Sequence, residues 1–181
     1  MKNKDNKIND DVLNTMKAFK QMGVKIDESD NQITIYGNGL NSLKKSEDEI
    51  YLGNSGTSAR LLVGLLSSQI FNSKITGDKS LSSRPMRRIT DPLKKMNAKI
   101  NTTNGSLPIL IEGNNLKNTQ INIDVPSAQI KSGLILAALN TNGITEIIEN
   151  NVTRDHTEIM LESFGANIAI KKNLNKKVIK V

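Results

Sequence analysis

The chain has 181 residues, a formal charge of +7, no cysteine and a single histidine. These numbers exclude disulfides, thiolate metal sites and a cysteine nucleophile, and they argue against a histidine-built zinc site, leaving only carboxylate metal chemistry open. The positive charge suits an anionic partner, but aromatic residues make up only 3% of the chain, too few for the stacking platforms of single-strand nucleic-acid binders.

The first ten residues, with MKNKDNKINDD spanning the junction, are charged and have no apolar stretch behind them, so a poorly ordered N-terminus over 1–10 is expected. No later run approaches the roughly 18 apolar residues of a membrane span, which points to a soluble cytoplasmic protein with no membrane partner. A helix is predicted over about 11–22, followed by strands over about 24–28 and 32–36. Further on, strands are predicted at 48–53, 72–77, 98–103 and 107–112, with helices at 57–69 and 86–96. The last stretch repeats the order, with strands at 119–124, 144–149, 166–171 and 177–181 and helices at 127–140 and 156–164.

Two sets of landmarks recur in step. Met22-Gly23-Val24-Lys25-Ile26, Met96-Asn97-Ala98-Lys99-Ile100 and Phe164-Gly165-Ala166-Asn167-Ile168 each close a helix with an apolar residue, place Gly or Asn where a left-handed residue is needed, and start a strand at once. SARLLVGLL from Ser58 and SAQIKSGLI from Ser127 share Ser-Ala at the start and a glycine, Gly64 or Gly133, six residues on. The two pairs are separated by nearly the same length of chain, the signature of a duplicated unit. That unit reads strand, helix, strand, helix, strand, strand. The chain holds a partial unit (11–43) and two full ones (48–114 and 119–181), which together form one α/β domain of repeated βαβαββ units with helices packed inward and sheets outside. The alternative is a plain α/β sheet with coincidental similarity.

Both long helices begin with small polar residues, Gly53-Asn54-Ser55-Gly56-Thr57-Ser58 and Asp124-Val125-Pro126-Ser127. Free N–H groups and the positive end of the helix dipole suit an anion there, and a glycine at 56 permits close approach to the main chain. The same residues are equally good helix caps. No Gly-Lys-Ser/Thr follows Gly56, which excludes a P-loop. TGDKSLSSRPMRR brings Lys79, Arg84, Arg87 and Arg88 into and beyond one loop. They read either as exposed charges or as a carboxylate and phosphate clamp, with Pro85 restricting the backbone of Arg84. TRDHTE at 153–158 opens another helix, with Thr153 or Asp155 as candidate caps and His156 as a surface or packing histidine.

Taken together, GNSGTSARLL, TGDKSLSSRPMRRITDPLKKMNAKI, LPILIEG, VPSAQIKSGLILAAL and ITEIIENNVTRDHTEIMLESFGANI resemble, in order and spacing, the 3-phosphoshikimate 1-carboxyvinyltransferase (EPSP synthase) family. The RDHTE and SAQ forms look most like its bacterial class II branch. The related UDP-N-acetylglucosamine enolpyruvyl transferases share the fold but typically carry a reactive cysteine and lack this TGD…RPM loop.

The resemblance implies two domains of three βαβαββ units each, of which this chain covers most of one. It implies transfer of the enolpyruvyl group of phosphoenolpyruvate to the 5-hydroxyl of shikimate 3-phosphate, releasing phosphate, on the route to aromatic amino acids. No cofactor, metal or nucleic acid is implied. By resemblance, Gly56, Arg84 and Gln129 contact phosphoenolpyruvate, which the inhibitor glyphosate replaces. Ser127, Ala128, Gln129 and Arg154 hold shikimate 3-phosphate, and Asn54 and Thr57 shape the loop. The family's Lys-Ser-x-x-x-Arg loop has no counterpart in MKNKDNKIN, and its acid and base residues belong to the other domain. The chain is therefore expected to be an incomplete part of the enzyme, inactive alone, with the second domain as a possible separate partner chain. The alternative is a catalytically silent domain that binds phosphorylated metabolites or a protein.

Overall fold

A computed structural model describes residues 9–29, 32–174 and 176–181. Of the stretch 1–10, residues 1–8 lie outside the described residues. Asn9 caps the first helix, its side-chain oxygen accepting from the Asp11 N–H at 2.8 Å.

That helix, α1 (Asp10–Gln21), leads into an antiparallel pair, β1 (Lys25–Ser29) and β2 (Gln32–Tyr36), and a single 3-10 turn at Leu40–Ser42. The next unit runs β3 (Ile50–Tyr51), α2 (Gly56–Ser67), β4 (Ser73–Thr76), the short α3 (Lys79–Ser82), α4 (Arg87–Lys95), β5 (Lys99–Thr103) and β6 (Ser106–Glu112). The last runs β7 (Gln120–Ile123), α5 (Ala128–Ala138), β8 (Glu146–Glu149), α6 (His156–Ser163), β9 (Ala169–Lys172) and β10 (Lys177–Lys180).

The duplication read from sequence is present in the sheets. One is ordered β3-β4-β6-β5 and the other β7-β8-β10-β9. In both, the first two strands are parallel and the remaining pairs antiparallel. The three helix stops are left-handed as expected, with φ of 86° at Gly23, 72° at Asn97 and 83° at Gly165. The sequence placed Lys79 in a loop, but Asp78 caps α3 there, accepting from the Leu81 N–H at 2.7 Å. The strand predicted at 48–53 shortens to two residues, and the one predicted at 166–171 begins only at Ala169.

Strands turn alternate residues inward, Leu107, Ile109 and Ile111 along β6 for example, toward a core that contains α2 and α5. α2 and α5 are apolar on nearly every side, as helices enclosed by other elements must be. They meet at the two repeated glycines. A Cβ on Gly64 would lie 1.9 Å from the Gly133 carbonyl oxygen, and one on Gly133 would lie 2.7 Å from the Arg60 carbonyl oxygen. Neither carbonyl can retreat without moving a helix.

Gly64→Ala is therefore expected to destabilise the chain by about 3 kcal/mol, the upper end of the usual overpacking cost, as measured by urea denaturation. Gly37→Ala, whose Cβ would meet nothing within 4 Å, serves as control and is expected to change stability by no more than about 0.5 kcal/mol.

Candidate anion-binding site

The repeated helix starts come together. Ser55 caps α2, its Oγ accepting from the Ser58 N–H at 3.3 Å, and Ser127 caps α5, accepting from the Ile130 N–H at 3.4 Å. Gln129, in the first turn of α5, reaches across to α2 twice. Its amide nitrogen donates to Thr57 Oγ1 at 2.8 Å, and its amide oxygen accepts from Arg60 Nη1 at 3.1 Å. The same Arg60 nitrogen donates to the Gly56 carbonyl at 3.0 Å.

Arg84 arrives from the connection between β4 and α4, where its guanidinium donates to Asn54 Oδ1. Gly56 lies between the two arginines. A Cβ there would be 2.8 Å from Arg60 Nη1 and 2.8 Å from Arg84 Nη1. Burial first, and then the positive charges of Arg84 and Arg88, pull the Arg60 guanidinium below its ordinary pKa. Among the described residues no carboxylate pairs with Arg60, Arg84 or Arg88. Three like charges beside two helix N-termini form a field that an anion relieves.

A shallow cleft of about 160 Å³ continues from Thr57 and Leu61 past Ala128, Gln129 and Ser132 to Arg154, His156 and Thr157. It is small against the roughly 300–1,000 Å³ of pockets that enclose a ligand. Arg154 and His156 are exposed on it. Thus Asn54, Gly56, Thr57, Arg84 and Gln129 form one contiguous set. Ala128 and Arg154 extend it along the cleft, and Ser127 acts as the α5 cap.

Neither expected cap of α6 acts as one. Asp155 makes no side-chain cap bond, and the Thr153 hydroxyl instead donates to Glu149 Oε1 at 2.5 Å. That bond belongs to a buried network absent from the sequence reading. Lys131, fully buried on α5, donates to Glu158 Oε1 at 2.8 Å, to Glu149 Oε2 at 3.2 Å and to the Arg154 carbonyl at 2.8 Å. Lys177 donates to Glu158 Oε1 at 2.7 Å, so two lysines balance two glutamates, with Glu158 Oε2 left without a partner. The network ties the backbone carrying Arg154 to the start of α5. Its signal in the sequence was a lone lysine in an otherwise uncharged apolar helix, with Glu149 and Lys177 on the strand faces of Ile147 and Ile179. Arg60 was also overlooked as a site residue, although it lies one turn from Gly56.

Residues 4–180 match the family described as EPSP synthase (3-phosphoshikimate 1-carboxyvinyltransferase). A 3-phosphoshikimate 1-carboxyvinyltransferase of Ruthia magnifica subsp. Calyptogena magnifica is 50% identical over 165 residues, covering 91% of this chain and 38% of that protein. One from Bacillus cytotoxicus is 42% identical over 165 residues, covering 90% of this chain and 39% of that protein. The solved EPSP synthase of Acinetobacter baumannii superposes with a TM-score of 0.87 at 45% identity, covering 96% of this chain and 39% of that one. The chain spans about two fifths of the length of the relatives it matches.

Lys131→Met leaves two buried glutamates with one lysine, and is expected to cost about 3–5 kcal/mol in urea denaturation. Adding Glu149→Gln removes the excess negative charge and is expected to restore part of that loss. No recovery in the double variant would show that lysine packing, rather than charge balance, holds the segment at Arg154.

Proposed function

The chain belongs to the EPSP synthase family, and from that premise we propose that residues 11–181 form one domain supplying the substrate-binding half of a 3-phosphoshikimate 1-carboxyvinyltransferase. The reaction moves the enolpyruvyl group of phosphoenolpyruvate onto the 5-hydroxyl of shikimate 3-phosphate and releases phosphate. The observation that carries this reading is the Gln129 bridge between the two helix starts, beside the Arg60 and Arg84 guanidinium groups. Two polyanionic substrates need such a place, where fixed N–H dipoles and guanidinium groups oppose charge that water would otherwise screen.

In this reading Gly56, Arg84 and Gln129 hold phosphoenolpyruvate. Ser127, Ala128, Gln129 and Arg154 hold shikimate 3-phosphate, while Asn54 and Thr57 orient the loop. Arg60 is added as the residue that fixes the Gln129 amide oxygen. Chemistry needs a second wall, because the glutamates behind the cleft, Glu149 and Glu158, are both engaged by buried lysines. Proton transfer then falls to groups outside these residues, in a second domain that closes over the substrates as part of the same polypeptide or as a partner chain. No cofactor takes part. Among the described residues no helix is long and apolar enough to cross a membrane, in keeping with cytoplasmic action.

Calorimetric titration of shikimate 3-phosphate into the chain is expected to show binding that Gln129→Ala weakens roughly tenfold or more, as expected for losing a hydrogen bond to a charged group. Arg84→Ala is expected to leave that binding within about twofold and to act on phosphoenolpyruvate instead. Shikimate 3-phosphate affinity indifferent to Gln129 would contradict the assignment.

Gly56→Ala meets only the far ends of two long arginine side chains, which can shift without moving backbone, so stability is expected to change by less than about 1 kcal/mol. In an enzyme completed with the second domain, KM for phosphoenolpyruvate is expected to rise and glyphosate inhibition to weaken. Unaltered inhibition would show that the methyl group does not reach the anion.

A further inference from the structure

α2 begins one turn earlier than its duplicate. Ser127 caps α5, whereas Ser58, at the same place in the repeat, lies inside α2, which Ser55 caps instead. The added turn carries Gly56 and Thr57, and an α-helix leaves the N–H groups of its first residues without acceptors of its own. Terminal turns fray unless something outside the helix holds them. Here α1 does.

Thr15, in the middle of α1, places its Oγ1 2.7 Å from the Asp11 carbonyl oxygen and 2.6 Å from Ser58 Oγ, and Ser58 Oγ lies 2.8 Å from Ser55 Oγ. Three hydroxyls supply three protons for these three contacts. The carbonyl has none to give, so the direction of every bond is fixed: Thr15 donates to Asp11, Ser58 to Thr15 and Ser55 to Ser58. Ser55 Oγ keeps its lone pairs and accepts the Ser58 N–H at 3.3 Å as the helix cap. Both serines are buried. Without the Thr15 oxygen they hold two protons for the one contact between them, so one proton is left unpaired or the Ser58 hydroxyl competes with its own N–H for Ser55 Oγ.

The residue before Thr15 acts on the other end of the same loop. Gly53 has φ of 56°, and a Cβ on it would lie 2.5 Å from Asn14 Nδ2, so glycine leaves the room that the Asn14 side chain fills. The Gly53 carbonyl accepts from the Asp78 N–H at 2.9 Å. Gly53 and Ser58 are thereby held, and between them lie Asn54, Gly56 and Thr57, the residues that meet Arg84, Arg60 and Gln129.

We propose that Thr15 is a positioning residue of the anion site. Its hydroxyl aligns Ser58 and Ser55 and so holds in one orientation the turn that carries the Gly56 and Thr57 N–H groups. The proposal rests on the reading of Gly56 as a phosphoenolpyruvate contact, while the clamp itself is measured without ligand.

The test follows amide exchange by NMR in the full chain. The amide of residue 58 is expected to exchange roughly fivefold faster in Thr15→Val, about the worth of one hydrogen bond, and to stay within about twofold of the unaltered chain in Thr15→Ser. Ser58→Ala, which removes the same bond from the α2 side, is expected to quicken it as well, and adding Thr15→Val to Ser58→Ala to have no further effect. Exchange over Leu62–Leu66 stays unchanged. Thr15→Ser behaving like Thr15→Val, or quickening spread along α1 and α2, would overturn the proposal by assigning the effect to packing of the threonine methyl group. Phosphoenolpyruvate is then titrated into the same samples, where Thr15→Val is expected to weaken its shift of the Gly56 and Thr57 amides roughly fivefold in affinity. An affinity indifferent to Thr15→Val would overturn the positioning role. Quickened exchange at residue 58, with no phosphoenolpyruvate shift at Gly56 in the unaltered chain, would support the clamp and count against the phosphoenolpyruvate reading instead.

Discussion

The backbone contact between Gly64 and Gly133 is the constraint on which the rest of the structure depends. Removing both side chains lets α2 and α5 approach until main-chain atoms touch, which dispersion and the exclusion of water then hold. Because the two glycines occupy equivalent places in duplicated units, the approach also sets the helices in register. Six residues before each glycine stands a Ser-Ala start, and the register brings those starts together. Gln129 can reach Thr57 and Arg60 only because the helices have no side chain between them at the crossing. A larger residue at either glycine would separate the helices and, with them, the two walls of the anion seat.

Charge is distributed on opposite principles in front of this crossing and behind it. Behind it, Lys131, Glu149, Glu158 and Lys177 are buried and neutralise one another, so they add geometry without net field. Their effect is local: Lys131 is two residues from Gln129 on α5, on roughly the opposite side of the helix, and grips the Arg154 carbonyl. In front, Arg60 and Arg84 are half-buried and Arg88 is exposed, none with a carboxylate partner among the described residues, and burial first, then the charges of Arg84 and Arg88, lowers the Arg60 pKa. A protein built for stability alone would pair those arginines. Leaving them unpaired costs little while they are hydrated and becomes useful when an anion arrives and water is excluded.

Much of this was legible in the sequence because it rests on local rules. Gly23, Asn97 and Gly165 stop helices for steric reasons that need no tertiary context, and all three adopt the expected left-handed backbone. The in-step placing of Ser58 with Ser127 and Gly64 with Gly133 carried the duplication, and the matched sheet orders follow from it. Ion pairing across long separations was not legible. Lys177 comes beside Glu149 in register because β8 and β10 pair there, which brings it to Glu158 while Glu149 takes Lys131, and nothing in ITEIIEN or KKVIKV fixes a register between segments so far apart. Thr153 was misread for a related reason. As a helix cap it would be satisfied locally, but Glu149, already held by Lys131, offers it a charged acceptor, and a hydrogen bond to a charged group is the stronger one.

The cleft beside Gln129 and the apolar groove between α1, β2, α2 and α6 share Thr57 in their linings. α2 and α5 each begin at the seat, as the Gln129 bridge requires. Their free N–H groups and dipoles therefore act on the same cleft. The repeat that lets each unit bury its apolar face against its neighbour also gathers the two helix N-termini at one pole, so the packing of the core and the placing of the site follow from the same symmetry.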